Sequence, residues 1–236
     1  MFEKRSSQAE LMDDLHLASD ALRKNLDELE LINKYLGGNS IVIGALKKLH
    51  QQGLLPANQV ISIADLGCGG GDTLREIFKW GKKNKLQLQL IGIDANPFML
   101  DYAQDKAKQQ KADIYFKKLN IFSQEFENEK FDIIICSLFC HHFADADLVT
   151  LFSQIKKQVN IAFIINDLHR HWLAYYSIKY ITQIFGGSYL VRHDAPLSVL
   201  RAFKHKELEN LFQQAGIQSY TLHWKWAFRY RGIIYK

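Results

Sequence analysis

The sequence predicts an α/β fold, a mostly parallel sheet flanked by helices, and three observations carry that expectation. From Val60 onward, short apolar runs alternate with amphipathic segments. A glycine-rich turn, Gly67 to Gly71, joins the first of these runs to the helix that follows it. The second run closes on an acid, Asp94, just before Asn96-Pro97 opens the next helix.

The first fifty residues read as helices, because Leu11, Leu15, Ala18, Leu22, Leu26, Leu29 and Ile32 recur at three- and four-residue steps. Gly37-Gly38 ends that stretch, and Asn39 or Ser40 can cap a second helix through Leu49 before Gly53 and Pro56 break the pattern. Residues 1–56 are therefore expected to form a helical lid, and 57–236 the sheet domain. Strands are expected at Val60–Ala64, Leu88–Ile93, Ile114–Phe116, Phe131–Cys136 and Ile161–Ile165. Helices are expected at Thr73–Trp80, Pro97–Lys108 and Asp145–Gln158. After Asn166 the alternation is interrupted by an insertion at about 168–203. It holds an aromatic helix from Trp172 to Phe185, a Gly186-Gly187 break and a loop around Pro196. A helix from Lys204 to Gln214, stopped by Gly216, leads to a closing antiparallel pair of strands, Ile217–His223 and Lys225–Ile234.

At 236 residues, one α/β domain with an added lid fits better than two independent cores. The formal charge of +5 is mild, and Lys82-Lys83, Lys117-Lys118 and Lys156-Lys157 are scattered, so nucleic acid is not expected as an obligatory partner. The charged start, Glu3-Lys4-Arg5, lacks the apolar core of a secretory signal, and a cytoplasmic protein is expected. Lys179 interrupts the longest apolar candidate, so no membrane span of about 18 residues is expected. Cys68, Cys136 and Cys140 form no CxxC pair and fit neither a disulfide framework nor a zinc site; no metal is expected.

Glycines in the turn after the first strand remove the Cβ atoms that would hold a ligand away from backbone amides. A dinucleotide fingerprint counted from Gly67 would require a third glycine where Asp72 stands, so NAD fits poorly. An acid at that helix start opposes a pyrophosphate and tolerates a cationic ligand. Asp94 ends the second strand where a carboxylate can accept hydrogen bonds from two ribose hydroxyls; the alternative is that it only caps the helix at Pro97.

Asp65-Leu66-Gly67-Cys68-Gly69-Gly70-Gly71 and Gly92-Ile93-Asp94 resemble the first two cofactor motifs of the class I S-adenosylmethionine (SAM)-dependent methyltransferases. Phe131-Asp132-Ile133-Ile134 and Cys140-His141-His142-Phe143 are similar to the fourth-strand motif of small-molecule enzymes of the ubiquinone/menaquinone-biosynthesis type. The segment from Asn166 to Tyr180 also resembles methyltransferases encoded beside type III polyketide synthases. The resemblance implies a Rossmann-like seven-stranded sheet with its last strand antiparallel, SAM as cofactor and S-adenosylhomocysteine (SAH) as product. It implies that Asp65, Gly67 and Gly69 line the methionine part, Asp94 the ribose, and Ala95 and Met99 the adenine, with Cys68 also in the cofactor site. Asn120 stands where many relatives have an aspartate for the adenine amine; with Ile121 and Ser137 it completes the expected cofactor set.

The predicted activity is methylation of a small apolar aromatic or polyketide-like acceptor at oxygen. The alternatives are carbon methylation of a quinone precursor, nucleic-acid methylation, or SAM binding without catalysis. His141 and His142 follow the fourth strand, where either can accept a proton or merely pack. Asp167 or His169 can act as base or orient one, and Arg170 can hold an anionic acceptor; a capping aspartate with solvated basic neighbours is the alternative. His142, Asp167 and His169 are the catalytic candidates. Trp172, Tyr175, Tyr176 and Tyr180 either wall an acceptor pocket or form one face of a core helix.

Overall fold

The structure, a computed structural model, describes residues 2–14, 20–56 and 58–236. The expected helical positions Leu15 and Ala18 lie outside the described residues. A 3₁₀ turn, Leu11–Asp13, precedes α1 (Asp20–Tyr35) and α2 (Gly38–Gln51). The sheet domain then alternates: β1 (Val60–Leu66), α3 (Asp72–Lys83), β2 (Gln87–Asp94), α4 (Pro97–Gln109), β3 (Tyr115–Lys118), the single turn α5 (Gln124–Glu127) and β4 (Phe131–Ser137). It continues with the 3₁₀ turn Cys140–His142, α6 (Asp145–Gln158), β5 (Val159–Leu168), α7 (Trp172–Ile184), α8 (Tyr189–Arg201), α9 (His205–Gln214), β6 (Tyr220–Lys225) and β7 (Arg229–Tyr235).

The seven strands lie in the order β3-β2-β1-β4-β5-β7-β6. Strands β1 to β5 pair in parallel, and β7 runs antiparallel to both its neighbours. The chain leaves β1 in one direction across the sheet and returns to β4 on the other side. Their carboxyl ends therefore diverge into a crevice, the usual ligand position in such sheets.

Strands buried on both faces must be apolar at successive positions. Ile133, Ile134, Ile135 and Cys136 are fully buried, as are Phe163, Ile164 and Ile165. One face packs on α6 and α9 through Leu151, Phe152, Ile155, Leu208 and Phe212; the other packs on α2 and α3 through Val42, Leu46, Leu74 and Ile77. A smaller cluster joins α1 to α4, with Leu22 and Leu26 against Met99 and Tyr102. Around it Tyr102 donates to Asp27 at 2.6 Å and Arg75 pairs with Glu30 at 2.6 Å.

Two local expectations are corrected. Neither Asn39 nor Ser40 caps α2: the chain turns at Gly37 in the left-handed region and the helix starts at Gly38. The segment around Pro196 is helical rather than a loop. A proline inside a helix removes one backbone hydrogen bond and costs about 3 kcal/mol. Burial of Leu190, Val191, Leu197 and Val199 offsets that cost, and the Asp194 carboxylate anchors the helix by accepting from the Leu11 and Met12 amides at 2.9 and 3.1 Å.

Candidate active site

The crevice above β1 and β4 is one cavity of about 1110 Å³. Its floor is the turn after β1. Gly67 has φ +64°, and a Cβ there would lie 2.0 Å from the Phe139 ring. The Gly67 and Cys68 amides both donate to the Ile93 carbonyl, which ties this turn to the end of β2. Gly69 also has positive φ, but open space surrounds its Cβ position.

Asp94 accepts from the Gly69 amide at 3.0 Å and from the Asn96 amide at 2.9 Å. The cap of α4 is Asn96, whose side chain accepts from the Phe98 amide. Asp94 is thus relieved of the capping role, and it faces the cavity. Three acids gather here. Burial raises the pKa of Asp65, of Asp72 and of Asp94, and for Asp65 the charges of Asp72 and Asp94 add to it. Asp65 is 2% exposed and its Oδ1 has no hydrogen-bond partner among the described residues.

Of the expected cofactor set, Gly67, Cys68, Gly69, Asp94, Ala95, Met99, Asn120, Ile121 and Ser137 line the cavity, whereas Asp65 is buried in β1 and does not. The Asn120 amide oxygen accepts from the Phe122 amide at 2.9 Å, which leaves one lone pair free. Ser137 accepts from Asn166, which also donates to the Gly38 carbonyl and so holds the start of α2 over β4 and β5.

The catalytic candidates separate in space. His141 lines the cavity with its Nδ1 2.7 Å from Asp167 Oδ1, while its own amide donates to Asp167 Oδ2 at 3.2 Å. Asp167 is fully buried. Burial opposes its charge, but the His141 charge and hydrogen bond outweigh burial and hold its pKa below the ordinary range. His141 Nε2 lies 3.6 Å from Glu10 Oε1. His142 also lines the cavity, but its Nδ1 is held by Asp13 at 2.6 Å, and Asp13 is held in turn by Arg201 at 2.7 Å. Glu10, His141 and His142 bring their nitrogen and oxygen atoms within 4.8 Å of one another.

His169 is absent from the cavity lining. It follows the end of β5 and packs against Tyr230, His171 and Phe228, where burial and then the charges of His171 and Arg170 lower its pKa to about 4. Arg170 is taken up by Glu207 and by the Phe2, Glu3 and Ala202 carbonyls, so it is unavailable to an acceptor. The aromatic helix does cover the crevice, but with another face. Ala174, Ser177, Ile178 and Ile181 of α7 line the cavity, whereas Trp172, Tyr176 and Tyr180 are 55%, 40% and 55% exposed. Leu26, Leu29 and Asn33 of α1 also line it, with Leu36 just beyond that helix.

Glu10, Asp13, Phe139 and Arg229 also line the cavity and were not singled out from the sequence. The two N-terminal acids carry no motif, and only tertiary packing buries Glu10. Phe139 had a signal, since it lies between the fourth strand and the two histidines.

Residues 63–162 match the Methyltransferase domain family. Among curated proteins, the chain is 26% identical over 164 residues to the ubiquinone biosynthesis O-methyltransferase of Bartonella tribocorum, covering 66% of this chain and 60% of that enzyme. It is 26% identical over 186 residues to the carboxy-S-adenosyl-L-methionine synthase of Campylobacter jejuni, covering 74% and 75%. Among solved structures, the plantazolicin methyltransferase BpumL in complex with SAH superposes with a TM-score of 0.65 at 16% identity, covering 92% of this chain and 91% of that one. The magnesium protoporphyrin IX methyltransferase of Synechocystis with bound SAH gives 0.56 at 19% identity, covering 84% and 82%. The chain thus carries the class I methyltransferase fold around a core that matches the Methyltransferase domain family.

Proposed function

We propose that this protein transfers the methyl group of SAM to a hydroxyl oxygen of a small, largely apolar aromatic or polyketide-like acceptor, with His141 receiving the hydroxyl proton. The 2.7 Å pairing of His141 with Asp167 carries this reading. An ionised carboxylate only accepts, so Nδ1 bears the proton and Nε2 keeps its lone pair for the acceptor. Asp167 is then a positioning residue and His141 the base. This replaces His142, whose Nδ1 is tied to Asp13, and His169, which lies outside the cavity.

The residues present fit SAM. Asp72 and Asp94 on the cavity wall favour a cationic ligand, the open Gly69 lets a ligand approach the backbone, and Asp94 retains lone pairs for ribose hydroxyls. SAM, when bound, supplies a methyl group on a sulfonium. The protein's task is to align the acceptor oxygen, exclude water and take one proton at His141 Nε2. In this reading residues 1–56 act as the lid, together with α7 and α8, and their apolar cavity faces select the acceptor. No described helix is long and apolar enough to cross a membrane.

Transfer of label from methyl-labelled SAM to a panel of phenols, with and without EDTA, tests the proposal. Methyl ethers formed equally well in EDTA support His141 as base. Transfer restored only by a divalent cation would instead assign Glu10, His141 and His142 to a metal, and no transfer with demonstrated SAH binding would leave a noncatalytic binder.

A further inference from the structure

Arg229, the first residue of β7, lines the cavity and is 2% exposed. Its hydrogen bonding is nearly empty: Nη2 donates to Asn33 Oδ1 at 3.3 Å, while Nε and Nη1 have no partner among the described residues. The charges of Asp167 and Asp72 act on it, yet no ion pair to it is formed among the described residues. Burial pushes its pKa down to about 10, so it stays charged at neutral pH. A buried guanidinium without a carboxylate is costly, and such groups are normally paired.

The surroundings favour an anion. The start of α2 lies against the guanidinium: a Cβ on Gly38 would stand 3.3 Å from Nη1 and 2.8 Å from Asn33 Oδ1. That helix start has no side-chain cap, so its amides add positive potential at the same place. Asn33 meanwhile donates to Asp72 Oδ2 at 3.4 Å. One amide thus separates a cationic group from an acidic one, an arrangement complementary to an ammonium and a carboxylate on a single ligand.

We infer that Arg229 is a carboxylate receptor in the cavity, taking either the amino-acid end of the cofactor or the acid group of an acceptor. The first source rests on the SAM reading and the second does not. Calorimetry with SAH and with 5′-methylthioadenosine, which lacks the amino-acid end, is run on the wild type, Arg229→Met and Arg229→Lys. For the cofactor source, Arg229→Met weakens SAH about 10- to 100-fold and leaves methylthioadenosine unchanged, with Arg229→Lys between the two. For the acceptor source, SAH affinity holds, and the thermal shift produced by 4-hydroxybenzoate but not by 4-hydroxybenzyl alcohol disappears in Arg229→Met. A wild type that binds neither nucleoside sinks the SAM reading, and the benzoate arm still decides the role of Arg229. The ligand-free Arg229→Met protein should melt no lower than wild type, because an unpaired buried charge has been removed. Unchanged SAH affinity together with an unchanged or absent benzoate-specific shift would overturn the inference, as would a lower melting temperature with equal losses for both nucleosides.

Discussion

His141 Nδ1 lies 2.7 Å from Asp167 Oδ1, and Asp167 is wholly enclosed at the end of β5. The turn after β4 and the end of the neighbouring strand β5 thus bring together the histidine proposed as base and the carboxylate that pairs with it. Asp167→Asn, whose amide can donate to Nδ1, is expected to lower kcat by about 10²- to 10⁴-fold on a phenolic acceptor. SAH affinity should be unchanged. Equal losses in kcat and SAH affinity would show that Asp167 serves the cavity's structure instead.

Glu10 gives a pH signature. Burial pushes its pKa from 4.5 up to about 7, against the opposing effects of His142, Ser198 and Arg201. Between those values the folded state holds a proton that the unfolded state has lost, so stability falls as pH rises through this window. Relative to Glu10→Gln, the wild type should lose about 3 kcal/mol between pH 4.5 and 7.5, read from urea unfolding. Parallel profiles for the two proteins would contradict the burial.

The glycine turn predicts an ordering. Gly67→Ala places a methyl group inside the Phe139 ring at φ +64° and should cost more than about 3 kcal/mol. Gly69→Ala meets no neighbour and should cost only the backbone strain, about 1–2 kcal/mol. Similar losses in urea unfolding would mean that the Phe139 contact yields easily.

The two faces of α7 should behave oppositely. Ile178→Trp fills the cavity and is expected to raise KM for the acceptor or abolish transfer. Trp172→Ala on the exposed face should leave kcat and KM unchanged and shift stability by less than about 0.5 kcal/mol. A large effect of Trp172→Ala would return the outer rings to the acceptor.

The sheet was legible because buried parallel strands must read as apolar runs, and the bounds expected for α6 coincide with those observed. The glycine turn was legible because positive φ at Gly67, Gly69 and Gly71 restricts residue choice, and Asp94 because it closes the second apolar run. What escaped was decided by packing between distant segments. Glu10 and Asp13 look like solvated acids until α8 and the two histidines close on them. Pro196 signals a loop until Asp194 anchors the surrounding helix to the N-terminal segment. The rotation of α7 was hidden because apolar and aromatic residues occur on all its sides, so no single stripe marks the inner face. Arg229 reads as one charge among several in a terminal strand, and nothing local shows that it is buried with so few hydrogen bonds.

Calorimetric titration with SAH of the wild type and of Asp94→Ala decides whether the crevice is a SAM site. One site per chain is expected in the wild type and binding weakened at least about 10-fold in the variant, since two charge-assisted hydrogen bonds to the ribose would be lost. No binding of SAH by folded wild type would contradict it, and so would equal affinity in Asp94→Ala.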